Sequence, residues 1–360
     1  MTTAYRFYAA EISYFSAKVR PALRYKGVHY LELRPDYRNV ILPRTGMAFI
    51  PIVVTPDDET WQDTSDILDA LERRVPAPPL YPTTPVQRLV TLLLELYADE
   101  FLILPAMHYR WDFPESVQKA RADFAAFLGA AETAKRAADM MSGSLPLLGV
   151  TPATVPAIEA HTRELLDVLS AHFAAHPYLL GDHMSLADCA LMGPLYAHLY
   201  LDAVPGRLLR ETAMPVCQWI ERMNHPDPGA GGEWLGGDAL APTLAPLLRL
   251  VGRDAVPVVL DATRAFEAWA DGRRGDGDEP PRAVGSHPTR LRGVEAHRYT
   301  SSYTLWMVQR PLDAYRVLAA DERAAVDRAL AGTGCEALLA HAPRHRLGKR
   351  RFKLVFERAT

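Results

Sequence analysis

Ser13-Tyr14-Phe15-Ser16-Ala17-Lys18-Val19-Arg20 follows directly on the apolar run Tyr5-Arg6-Phe7-Tyr8 and opens a helical pattern that runs to Gly27. A strand that feeds the first turn of a helix carries the Ser13 hydroxyl to the unpaired backbone N–H groups and the positive end of the helix dipole. Anions are stabilised there, and a bound thiolate is one such anion. Val19, Ala22 and Leu23 fall on one side of the helix, and Gly27 is a plausible stop. Pro21 lacks an N–H and is expected to kink the helix unless it lies in the first turn, so the sequence leaves the helix start open by several residues.

Outward from this turn, the first eighty residues alternate between the two periodicities. A second strand is expected at 28–33, a loop at 34–48, and a β-rich run over Phe49-Ile50-Pro51-Ile52-Val53-Val54-Thr55. Pro56-Asp57-Asp58-Glu59 then turns the chain back into Thr60-Trp61-Gln62, which predicts an antiparallel hairpin. A helix starts at Asp63 or Thr64, with Ile67, Leu68 and Leu71 on one face and Arg73-Arg74 at its negative end. The order is βαβ followed by ββα.

The Pro-rich stretch Val75-Pro76-Ala77-Pro78-Pro79-Leu80-Tyr81-Pro82 marks a domain boundary. From 86 to 200 the apolar period is helical, with breaks at Pro105, Pro114, 142–156 and 177–182, which predicts a helical bundle. Ser185-Leu186-Ala187-Asp188 reads as a capping box, with Met184 and Cys189 as its hydrophobic staple.

Composition narrows the function classes. The chain has 360 residues, 49% of them hydrophobic and 23% charged, the balance of an ordinary globular protein. A formal net charge of −3 gives no electrostatic case for nucleic acid or an anionic membrane as partner. Cys189, Cys217 and Cys335 are scattered without disulfide or zinc spacing, no basic and apolar export signal opens the chain, and Glu95, Asp99 and Glu100 interrupt the longest apolar stretch. The expectation is a reduced, cytoplasmic protein without a metal. His341 and His345 are separated by Pro343, which argues against one helical face, and Gly229-Ala230-Gly231-Gly232 follows no strand and reads as a loop, not a phosphate cradle.

Four motifs in this order resemble the cytosolic glutathione transferases: the 13–23 run, Phe49-Ile50-Pro51, Gln62-Asp63-Thr64-Ser65-Asp66-Ile67, and Tyr178-Leu179-Leu180-Gly181-Asp182-His183-Met184-Ser185-Leu186-Ala187-Asp188. The resemblance covers roughly residues 5 to 224. It implies a thioredoxin-like, glutathione-binding domain at 1–75, a linker at 76–84, an all-helical domain at 85–224, and a mostly helical extension at 225–360 with a flexible loop near 271–292. The fold class is thus α+β followed by all-α.

Carried over by position, Ser13 is where serine-type members place the hydroxyl that hydrogen-bonds the glutathione sulfur, and Ser16 takes the second position of a CxxC-like pair. Pro51 matches the family's cis-proline, with Ile50 offering its backbone to the cysteinyl part of the tripeptide. Asp63-Thr64 matches the acid-hydroxyl pair that holds the γ-glutamyl end. Phe49 stands where the family often has a basic residue, so the glycyl carboxylate is assigned to Arg44 or Arg38. Tyr14 follows the catalytic position and offers an alternative hydroxyl. Five of these residues also have a plain structural reading: Ser13, Ser16, Asp63 and Thr64 as helix caps, Pro51 as an edge-strand proline.

The implied activity is a transferase that uses glutathione as cosubstrate against a small hydrophobic or electrophilic partner, or for isomerisation or reduction, in a homodimer. Tyr97, His108, Tyr109 and Trp111 are the candidates for the acceptor pocket, with bundle core as their alternative reading. A non-catalytic scaffold whose extension carries the function, and a different thiol in place of glutathione, are the competing readings.

In the extension, helices are expected at 240–251, 256–270, around 305–318 and at 321–330, a solvated loop at 271–292, and a strand or docking segment at 351–357. From 341 to 360 seven Lys or Arg face one Glu, a basic terminus read as solvated.

Overall fold

Strand β1 (Tyr5–Tyr8) lies at the centre of a four-stranded sheet in the computed structural model, parallel to β2 (Tyr30–Leu33) and antiparallel to β3 (Ile52–Val54), which pairs with β4 (Thr60–Gln62). The order β2-β1-β3-β4 is the expected βαβ-ββα topology. The structure describes residues 3–227, 229, 232–272 and 275–357. They divide into two units, one built from residues up to 82, 109–140 and 173–234, the other from 83–108, 141–172 and 235 onward.

In the first unit, the Tyr14–Tyr25 helix buries Val19, Ala22 and Leu23, and the Thr64–Arg74 helix buries Ile67, Leu68 and Leu71. Both apolar stripes recur at helical spacing, so each helix presents one face to the core. Pro21 falls in the middle of the first helix and not in its first turn.

The capping box forms: Ser185 donates from both N and Oγ to Asp188 at 2.9 and 2.7 Å. Leu179 N at 3.0 Å and Trp219 Nε1 at 3.2 Å also donate to Asp188, while Cys189 Sγ meets Met184 Sδ at 3.9 Å in the staple. Burial pushes the Asp188 carboxyl up, and these donors work against it.

The second unit is assembled around the Pro85–Glu100, Val256–Ala270 and Ser302–Arg316 helices. The first of these begins with a Thr84 side chain that makes no cap bond. Asp238 supplies the cap instead, accepting from Val86 N at 2.8 Å and Gln87 N at 2.9 Å.

The stretch 271–292, expected as a loop, contains β5 (Ala283–Leu291), which pairs antiparallel with β6 (Val294–Ser301) and packs on the Val256–Ala270 helix. The inward residues are His287, Thr289 and Leu291 on β5 and Ala296, Arg298 and Thr300 on β6. Polar side chains on the buried face hide the apolar alternation by which strands are read. They satisfy one another in part, His287 Nδ1 lying 2.9 Å from Thr300 Oγ1 and Thr289 Oγ1 donating to Asp261 at 2.8 Å.

The terminal alternation is a strand: β7 (Arg346–Arg350) pairs with β8 (Lys353–Glu357). Three of the basic side chains in this terminal segment form ion pairs, Arg346 with Asp313, Lys353 with Glu279 and Arg344 with Asp271. The expected helices at 240–251, 256–270, 305–318 and 321–330 correspond to Ala245–Leu250, Val256–Ala270, Ser302–Arg316 and Ala320–Leu330. The Gly229-Ala230-Gly231-Gly232 run falls partly outside the described residues. Among the described residues, no helix is long and apolar enough to cross a membrane.

His287 makes the hairpin sensitive to acid. Burial, with the Arg298 charge adding, pushes its imidazole from 6.5 down to about 4. Between those values the unfolded chain binds a proton that the folded chain does not, so stability falls as pH drops through that window. The expected loss is on the order of 2 kcal/mol. Thermal unfolding of wild type and His287→Gln at neutral pH and at about pH 4.5 checks it, and equal acid sensitivity in the two proteins refutes it.

Candidate functional site

The sheet register gathers three of the predicted motifs at one end. Tyr8 pairs with Ile52 and Ile52 with Gln62, so Ala9, Pro51 and Asp63, each one residue further on, lie side by side at the strand ends. From Ala9 the chain crosses a short turn to Ser13, while Asp63 opens the next helix.

Ser13 is the N-cap of the Tyr14–Tyr25 helix, with φ −82° and ψ 123°, and its side chain accepts from Ser16 N at 3.2 Å. That bond uses a lone pair of the oxygen and leaves the hydroxyl hydrogen available as a donor. Ser13 is half-buried. Ser16 is fully buried, and its oxygen accepts from Ala10 N at 3.3 Å, so it shapes the turn from within.

Tyr14 points inward. Its ring meets His198 edge-on at 5.4 Å, and a Cβ on Gly193 would lie 2.9 Å from two of its ring carbons. Only glycine leaves room for the tyrosine at that contact. Of the three hydroxyl residues proposed for the sulfur, Ser13 alone is not buried.

The Ile50-Pro51 peptide is cis, with Ile50 half-buried and Pro51 buried. Asp63 caps the Thr64–Arg74 helix, its carboxylate accepting from Ser65 N at 3.1 Å, and its φ is +78°. A non-glycine residue in that half of the map costs about 1–3 kcal/mol and is found preferentially at ligand-holding positions. Thr64 is buried in the first turn. Lys18, fully buried on the Ser13 helix, donates to Ser65 Oγ at 3.3 Å and so brings a positive charge to the start of the second helix.

Arg44 is held away from this end. It donates to Asp58 Oδ1 at 2.8 Å and Thr60 Oγ1 at 3.0 Å, on the turn of the β3–β4 hairpin, at the opposite end of those strands from Pro51 and Asp63. The Asp58 carboxylate, which Arg6 also contacts, supplies the attraction. Arg38 is exposed, and Phe49 is 39% exposed.

The four acceptor candidates are all buried. In the second unit, Tyr97 bonds His161 Nε2 at 2.7 Å, His161 Nδ1 lies 2.8 Å from Asp254, and His108 lies 3.2 Å from Glu159. Burial pushes Tyr97 up and His161 down. In the first unit, Tyr109 stacks on Phe113 at 5.5 Å and the Trp111 ring meets Phe124 at 5.9 Å. This is the packing of the bundle-core alternative. Among the described residues no group of three or more His, Cys, Asp or Glu is arranged to hold a metal.

The family description "Glutathione S-transferase, N-terminal domain" matches residues 7–79, and "Glutathione S-transferase, C-terminal domain" matches 144–227. Residues 7–79 and 144–227 thus carry the two domains of a glutathione S-transferase. Neither match goes beyond residue 227. Similar solved structures include a glutathione S-transferase from Rhodospirillum rubrum (18% identity, 66% of this chain and 96% of that one, TM-score 0.43). One from Methylobacterium radiotolerans, in complex with glutathione sulfonate, is 20% identical over 63% of this chain and 93% of that one, with a TM-score of 0.39. A beta-etherase from Sphingobium is 16% identical over 63% of this chain and 97% of that one, with a TM-score of 0.44. No curated protein matches the sequence.

The motifs left Arg110, Gly193, His198 and Asp202 unnoticed. A lone charge in the apolar helix Ile103–Trp111 is the available sign of Arg110. Its partners lie about ninety residues away in sequence, which no local pattern reveals.

Proposed function

We propose that this protein binds glutathione at the Ser13 end of the sheet, stabilises it as the thiolate, and directs that sulfur at a small electrophile. The observation that carries the reading is the convergence of the Ser13 helix start, Pro51 and Asp63 at one end of three adjacent strands. A thiolate against the first turn of the Tyr14–Tyr25 helix receives the Ser13 O–H and the positive helix terminus, and both favour the ionised sulfur over the thiol. The thiol proton passes to solvent. The sulfur's electron pair then forms the new bond to the electrophilic carbon as the leaving group departs.

Ile50 lends its backbone N–H and C=O to the extended tripeptide. The Asp63 carboxylate takes the ammonium at the γ-glutamyl end, and the helix start at Thr64 takes the adjoining carboxylate. With Arg44 tied to Asp58, the glycyl carboxylate is left to Arg38 or to solvent.

Titration calorimetry with glutathione tests the reading. Saturable binding at or below millimolar concentration is expected, together with glutathione-dependent conversion of a general electrophile. Absence of heat at millimolar glutathione overturns it in favour of a scaffold or a different thiol.

A further inference from the structure

The turn that delivers Ser13 has no regular structure between the end of β1 and the helix start, so its shape depends on what holds its carbonyls. Arg20, on the Ser13 helix itself, donates to Ala10 O at 3.3 Å while pairing with Glu32 at 2.7 Å. Ser13 N closes the turn onto Ala10 O at 3.1 Å. Glu11 accepts from the Tyr196 hydroxyl. The carbonyl of Ile12, the residue next to Ser13, is held by Arg110 at 3.0 Å.

Arg110 is 4% exposed, and its guanidinium is engaged on every nitrogen. Nε donates to Asp202 Oδ2 at 2.7 Å, and Nη2 to Ala197 O at 2.5 Å and Asp202 Oδ1 at 3.4 Å. Nη1 reaches both Ile12 O and His198 Nε2, the latter at 2.9 Å. Asp202 is itself buried at 1% exposure. Four of these five contacts fix the guanidinium to the 197–202 segment, and the fifth extends from it to the backbone before Ser13. A planar fork with five donors can make these bonds at once, whereas a lysine ammonium cannot.

We infer that Arg110 is a positioning residue for the thiol site, its guanidinium fixing the Ile12 carbonyl and thereby the orientation of the Ser13 hydroxyl toward a bound sulfur. Resting on the function proposed above, this inference adds to it a residue outside the motifs that suggested glutathione. Arg110 touches neither the sulfur nor the electrophile. It acts on the backbone dihedrals that aim the Ser13 O–H, and a misplacement on the order of 1 Å at such a group costs up to about 10²-fold in rate.

The test compares wild type with Arg110→Lys and Asp202→Asn, the second keeping the shape of the pair while weakening its charge. Expected in Arg110→Lys is a rise of about one unit in the pH midpoint for bound-thiolate ultraviolet absorbance. The matching result is a fall of about tenfold in kcat/KM at neutral pH, mostly in kcat, since one unit is tenfold in thiolate fraction. A smaller shift in the same direction is expected in Asp202→Asn. Variants that fold, bind glutathione and keep the wild-type midpoint and kcat overturn the inference.

Amide hydrogen exchange gives a readout independent of activity. In Asp202→Asn, residues 10–17 are expected to exchange faster while the Thr64–Arg74 helix is unchanged, and equal protection at 10–17 overturns the inference even if Arg110→Lys fails to fold. If wild type itself does not bind glutathione, the proposed function falls, and the exchange experiment still decides whether Arg110 holds the turn.

Discussion

Ser13→Ala is expected to lower kcat/KM for the glutathione-dependent reaction by roughly 10- to 100-fold, the value of a hydrogen bond to a charged group at about 1.5–3 kcal/mol. The oxygen of Ser13 already accepts from Ser16 N, so the hydroxyl hydrogen is what remains for a sulfur ligand. Alanine removes that donor and leaves the helix terminus in place. The loss therefore falls mainly on kcat, and the pH midpoint of the rate moves upward, because the thiol is then ionised by the helix end alone.

The same change removes an N-cap, which costs about 1 kcal/mol of stability. A denaturation curve separates that effect from the kinetic one. Tyr14→Phe is the contrasting measurement. A larger kinetic loss there than at Ser13 assigns the sulfur contact to Tyr14 and refutes the role given to Ser13.

Arg298→Ala is expected to produce the largest loss of stability, roughly 2–4 kcal/mol. Arg298 lies on the inner face of β6 at 8% exposure, and burial pulls its guanidinium below the usual range. It donates to Leu148 O at 3.0 Å and Glu100 O at 3.3 Å, the closing residues of two helices, where carbonyls lack partners within the helix. Its stem lies against Gly149, where a Cβ would meet Arg298 Cγ at 2.9 Å and where φ is +86°. Alanine strips the donors from both carbonyls and leaves a void at Gly149.

A fall in Tm on the order of 3–5 °C follows. Arg298→Met, which keeps most of the stem, is expected to lose less. A change below about 0.5 kcal/mol in Arg298→Ala shows that water serves both carbonyls and refutes the clamp.

How much was legible beforehand follows from the range of the interactions. The four strands and two helices of the N-terminal motif were readable because apolar period, turn residues and caps all act within a few positions. The capping box at Ser185 was equally plain, since its partners are three residues apart. The β5–β6 hairpin was not. With His287, Thr289, Arg298 and Thr300 facing inward, its buried side looks like a solvated loop until one knows what it packs on. Arg44 is tied to Asp58 by a contact of the same long-range kind. The sequence shows a cation of suitable reach, but only the fold sets Asp58 beside it.

From the sequence alone came the order of the four strands and two long helices within residues 5–74, the family resemblance, the hydroxyl at the helix start and the proline before β3, because each depends on local chemistry of the chain. The tertiary structure decided which hydroxyl remains outside the core, that Pro51 and Asp63 stand beside the strand leading to Ser13, and that Arg110 and Arg298 hold backbone carbonyls distant in sequence. Strand register and buried hydrogen bonds join residues tens to hundreds of positions apart, and their partners exist only once the chain has closed on itself.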